Sequence, residues 1–350
     1  MLTPQRHTLT IRKPRKLTTT DTVSVWIYGN LLGKSVMYLA MLAVGGALFV
    51  SWLQYSRSKN FSPINNRFLL ISTCLGILAA CVFFLLQIGQ INQQGLVGML
   101  DMQMGLILAE STLGSGLQWR LAGFMLAALA GLFFLVSGAV PGLINPGFVL
   151  GAIGCCLFAW SFAILGHVNV HGIDMQIAAA LHFLAVSVWV GALYPLAQLC
   201  HVSDLTNNPI NDPTNNPTHD QTHDQTHDQT HDRNREELTA VMTSFGRAGW
   251  WFIGVMVVSG LWMAWQLTGS WNALTDTVHG RFLLLKLCLV ACLLGLGMLN
   301  KFRWVARLRS GIAYDATVMA LRRTIYLEMG VAVLIVLAVA LLTTISGPQV

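Results

Sequence analysis

The sequence predicts an all-α membrane protein, a bundle of about eight transmembrane helices. Three observations predict it. Hydrophobic residues make up 54% of the 350-residue chain and charged residues only 10%, with a mean hydropathy of +0.60. Apolar runs of roughly 20 residues, the length a helix needs to cross a hydrocarbon core, recur along the whole chain. These runs lack the period-two alternation of a barrel strand, and a helix is the other element that closes its backbone hydrogen bonds inside lipid.

Taken in order, the runs fall at about 35–54, 69–88, 119–137, 146–166, 175–199, 248–269, 281–301 and 326–346. They divide the chain into a basic amino-terminal tail (1–34), helices 1 to 5 (35–200), a polar connection (201–237) and helices 6 to 8 (238–350). The opening MLTPQRHTLTIRKPRK has no apolar core, so it does not read as a secretory signal peptide. Trp119, Trp250, Trp251, Trp271 and Trp304 fall near the expected span ends, where indole rings settle at the headgroup level.

Orientation follows from Lys and Arg, which accumulate on the cytoplasmic side. The connections after spans 1, 3, 5 and 7 carry twelve of them, from Arg57 to Arg323, and those after spans 2, 4 and 6 carry Arg120, Arg281 and Lys286. The even connections and both termini are therefore expected outside. The six basic residues of the tail region, Arg6 to Lys34, oppose this placement. A net charge of +6 is in this setting a topology and lipid-headgroup signal, not a nucleic-acid one.

The polar connection reads TNNPINDPTNNPTHDQTHDQTHDQTHD and holds eight of the fifteen acids. Its lack of a packable apolar face predicts disorder. His219, His223, His227 and His231 recur every fourth residue there, each followed by Asp, with His201 upstream. Such a tract suits borderline metals, or is a slippage-expanded repeat tolerated on a surface.

The chemistry-bearing signal lies around spans 4 and 5. His182 sits inside an apolar stretch, and an ionisable group at membrane depth is by default a site for ion or proton chemistry. His167 and His171 are four apart and share a face if helix 4 continues through them. Met175, His182 and Trp189 follow at sevenfold spacing, a common stripe on helix 5. At 1.5 Å rise per residue His182 lies about 10 Å deeper than Met175. This is the layout of a ligand ladder for a transported ion. The alternative is a histidine that bridges helices by hydrogen bonding. Ala178, Ala179, Ala180 and Ala185 leave room for a close neighbouring helix.

On the same side, Met99, Met102 and Met104 cluster beside Asp101. Thioethers favour Cu(I), though methionine also fills apolar gaps. The seven cysteines lie in or at the ends of spans without a CxxC spacing and are expected to be mostly small buried hydrophobes. Lys286 is placed to snorkel outward with Arg281. Glu328 has Arg322 and Arg323 within two turns and is expected to pair with them.

These residues resemble the copper-resistance D family of bacterial inner-membrane proteins. The resemblance runs through Gly166-His167, Leu181-His182, Trp189-Val190-Gly191 and SFGRAGWWFIGVMVVSGLW. It continues in Thr277, Gly280, Arg281, Leu284, Lys286, Asn300, Leu321-Arg322-Arg323, Glu328 and Gly347-Pro348. The basic tail, the histidine-rich insertion and His279 depart from the family pattern. The resemblance implies copper uptake across the bacterial cytoplasmic membrane, a periplasmic copper-binding partner, and both termini in the periplasm. On it, His167, Met175 and His182 are the expected inner copper ligands. His171 with Met99, Met102 and Met104 forms an outer collection site. Several weak sites in series suit permeation better than one tight one. No nucleotide motif is present, and no catalytic residue is expected. Two alternatives stay open: a b-type cytochrome with haem held between facing histidines, and a non-transporting membrane dock for a periplasmic copper carrier.

Overall fold

The computed structural model describes residues 19–58, 63–137, 140–165, 172–207, 221–268, 278–311 and 313–345. Its helices are α1 (Thr19–Ser58), α2 (Pro63–Asn92), α3 (Met102–Glu110), α4 (Thr112–Val136), α5 (Ile144–Ala163), α6 (Ile173–Asn207), α7 (Gln221–Thr268), α8 (Val278–Leu299), α9 (Ala306–Ser310) and α10 (Tyr314–Ile345). Among the described residues there is no strand, and eight of the helices are long and apolar enough to cross a membrane. They are α1, α2, α4, α5, α6, α7, α8 and α10, one for each apolar run.

Most helices outrun their apolar stretch, because a helix gains nothing by ending where the hydrocarbon does. The candidate spans are Val25–Arg57 in α1 and Arg235–Gln266 in α7. Residues 19–34, expected as tail, are helical in α1, where Trp26 is buried and packs at Gly89 of α2. Residues 221–237, expected to lack structure, form the first turns of α7. Between Pro217 and Gly246 there is neither proline nor glycine, so nothing there breaks a helix once α7 continues below it. His223, His227 and His231 fall on this stretch, while His219 and Trp271 lie outside the described residues.

Spans alternate in direction, so two groups of connections face opposite ways. Arg57, Arg235, Arg247, Arg303, Arg307, Arg309, Arg322 and Arg323 gather at one end, which we call the basic face. The connection 93–111 and the amino ends of α1 and α6 lie at the other.

The buried residues form two cores. One is built from α1, α2, α4 and α5, around Met37, Met41, Phe124 and Phe158. The other is built from α6, α7, α8 and α10, around Leu193, Leu196, Leu238 and Leu321. Helices α1 and α6 join them. A Cβ on Gly46 would stand 1.8 Å from the Gly191 carbonyl carbon, and one on Gly191 would stand 1.8 Å from the Leu42 carbonyl oxygen. The two backbones touch, as small residues permit between membrane helices.

The cysteines correct an expectation. Cys200 is buried, but Cys74, Cys81, Cys156, Cys288 and Cys292 lie exposed on the bundle surface. Lipid accepts a weakly polar thiol as readily as a protein core does, so burial inside the bundle is not required of it.

Candidate metal site

Met175, His182 and Trp189 all turn toward other helices. Met175 is fully buried, His182 half-buried and Trp189 buried. His182 Nδ1 lies 3.1 Å from the Met256 carbonyl oxygen and 3.1 Å from Ser259 Oγ, both on α7. The carbonyl only accepts, so Nδ1 carries the proton and donates it. Ser259 gives its own hydroxyl proton to the Val255 carbonyl at 2.5 Å, which leaves its oxygen free to share the imidazole proton. Nε2 is then the lone-pair nitrogen, and no described residue bonds it.

Gly260 faces the ring, where a Cβ would meet Cε1 at 3.2 Å and Nδ1 at 3.5 Å. The histidine thus bridges α6 and α7 through one nitrogen, and its other nitrogen has no hydrogen-bond partner among the described residues. Histidines that bind metals commonly hold their second nitrogen on a carbonyl in this way.

His167 and His171 lie outside the described residues, and α5 ends at Ala163. Met99 sits half-buried in the 3-10 turn Gly95–Leu100, Met104 half-buried on α3, and Met102 78% exposed at the start of α3. Asp101 between them is engaged as the helix cap. Its Oδ1 accepts the Gln103 and Met104 N–H groups, each at 3.0 Å, and its Oδ2 accepts the Asn92 amide at 2.9 Å. The Met104 N–H first, then the Asn92 amide, hold this carboxyl below the usual carboxylate range, with Gln103 adding and a smaller burial cost opposing.

A lowered carboxylate pKa stabilises above the unfolded value and is lost as pH falls through the folded one. Amide exchange in α3, corrected for its intrinsic rate, should therefore accelerate as the pH drops below 3.8. Asp101→Asn should abolish that acid dependence. An α3 whose protection is flat across this range would show that the cap contributes nothing.

Glu328 is corrected from an ion pair with arginine to a hydrogen bond with Asn300. It is buried, and its Oε1 accepts from Asn300 Nδ2 at 2.6 Å, while the Thr324 hydroxyl donates to Asn300 Oδ1. Arg322 instead reaches His201 Nδ1 at 3.0 Å. The reason is local winding: α8 passes into a π-helical segment, Asn300–Val305, that delivers Asn300 inward. Such segments recur at functional sites. Glu328 lines a cavity of about 70 Å³ with Trp189, Gly297, Trp250 and Lys301. Lys301 donates to the Gly246 carbonyl at 2.5 Å and stacks over Trp250 at 4.3 Å. Trp189 and Glu328 both lie beside Gly297, so the α6 stripe ends at this cavity.

Arg120, read from the sequence as a topology marker only, is buried inside the first core. It bonds Ser161 Oγ at 3.3 Å and is flanked by the Phe162 and Tyr38 rings. Among the described residues no three His, Cys, Asp or Glu side chains converge on one point. The arrangement is a series of separated donors rather than a closed cage.

The family description Copper resistance protein D matches residues 239–342, and Copper resistance protein D-like, N-terminal domain, matches residues 33–173. The chain belongs to the copper-resistance D family. The two matches follow the two cores: the first covers α7 to α10, the second α1 to α5. Asn300, Lys301 and Glu328 lie in the former, and Met99, Met102, Met104, His167 and His171 in the latter. Met175, His182 and Trp189 fall between them, on the helix that joins the cores. No curated protein and no solved structure matches the chain. The protein is thus a multi-pass membrane protein of a copper-resistance family.

Proposed function

We propose that the protein imports copper across the bacterial cytoplasmic membrane, in copper homeostasis or resistance, with the basic face in the cytoplasm and both termini in the periplasm. The observation that carries this reading is His182, anchored through Nδ1 to α7 with Nε2 left for a soft cation. Met99, Met102, Met104 and His171 would collect copper, delivered by a periplasmic copper-binding protein. His167, Met175 and His182 would pass it inward, and the Glu328 carboxylate would receive it at the cavity. Separated donors favour release over storage.

The test is copper accumulation in sealed vesicles holding the purified protein, with the visible spectrum recorded on the same preparation. Accumulation well above protein-free vesicles, with no stoichiometric Soret band, is expected. A Soret band at one haem per chain would instead assign the histidines to a cytochrome. Copper bound at the outer face but never accumulated would make the protein a dock.

A further inference from the structure

Four arginines converge on one groove at the basic face. A cavity of about 480 Å³ is lined by Arg57 at the end of α1, by Arg235 and Arg247 of α7, and by Arg309 of α9. Along α7, Arg235, Thr239, Thr243 and Arg247 recur every fourth residue, so guanidinium and hydroxyl donors share one face about 18 Å long.

Among the described residues Glu236 is the groove's one acidic lining residue, and the ion pair there is Arg235 to Asp315 at 3.8 Å. Arg235 is fixed in place by stacking over the Tyr314 ring at 4.4 Å, yet its Nε is buried without a partner. A positioned guanidinium, beside three arginines with no ion pair among the described residues, is a site suited to an oxyanion.

We propose that this groove binds the phosphate of an anionic phospholipid headgroup. Depth argues for a lipid source. Arg247 directly precedes the apolar run of α7, and Arg57 closes the span Val25–Arg57, so the groove meets the bilayer at its headgroup layer. The guanidiniums grip the phosphate oxygens, and Thr239 and Thr243 donate to the ester or glycerol oxygens. The lipid then fastens α1, α7 and α9 together, across the junction of the two cores.

The experiment is native mass spectrometry of the full chain after delipidation and titration with phosphatidylglycerol, phosphatidylcholine or inorganic phosphate, with melting temperature as a second readout. Wild type should retain phosphatidylglycerol over phosphatidylcholine and melt higher with it. The Arg57→Gln/Arg247→Gln/Arg309→Gln variant should bind it roughly a hundredfold more weakly, about fivefold for each arginine near the anionic surface. Should the triple variant fail to fold, Arg309→Gln alone must still show a several-fold loss. Equal phosphatidylglycerol binding in wild type and variant overturns the site. Stabilisation by inorganic phosphate with none by phosphatidylglycerol overturns the lipid assignment.

Discussion

Gly191→Leu is expected to leave no monodisperse protein in detergent, and Gly191→Ala to lower its melting temperature markedly. Overpacking an ordinary core costs about 1–3 kcal/mol, because neighbouring side chains find other rotamers. Here the obstacle is backbone. The first added carbon would lie 1.8 Å from the Leu42 carbonyl oxygen, and no rotation of any side chain moves that atom. Helices α1 and α6 must separate, and with them the most extensive contact between the two cores. The cost should therefore exceed about 3 kcal/mol, the upper end of the side-chain range. Gly295→Ala on α8 is the control, since nothing stands within 4 Å of the added carbon. Thermal melts of the three variants decide it. A Gly191→Leu protein that melts with wild type would mean the α1–α6 contact does not hold the bundle.

That contact was half legible in the sequence. Small residues near His182 announced a close helix pair, but the touching pair proved to be Gly46 and Gly191, because only tertiary register decides which glycine faces which. The spans were legible in full, since hydrophobic length is a one-dimensional property that bilayer thickness fixes from outside. Their ends were not: α1 and α7 begin well before their apolar runs, where local helix propensity and neighbouring chain, not hydropathy, decide. Glu328 shows a different limit. Proximity along the helix favoured Arg322, whereas a π-helical segment on another helix supplied Asn300. Nothing in a single chain's pattern announces such a register shift. The same holds for Arg57, Arg235, Arg247 and Arg309, which the sequence offers as topology charges and the fold gathers into one groove.

His182→Ala should abolish most copper accumulation, and the informative partner is His182→Asn. Alanine removes both nitrogens at once, so it loses the bridge to Met256 together with the free Nε2. Asparagine places an amide N–H near the position of Nδ1 and has nothing where Nε2 stood. Hydrogen bonds between membrane helices are worth about 0.6 kcal/mol on average and up to about 1.7. The alanine variant should therefore melt slightly lower than wild type, and the asparagine variant should recover that loss. Transport should separate from stability. If Nε2 holds the ion, uptake falls by at least tenfold in both variants, in line with the 10–100-fold that even outer-shell changes cost a metal site. Ser259→Ala should do less, because the Met256 carbonyl at 3.1 Å still orients the ring. A His182→Asn protein that accumulates copper like wild type would reduce the histidine to a brace between α6 and α7. The path would then have to run through donors other than the α6 stripe.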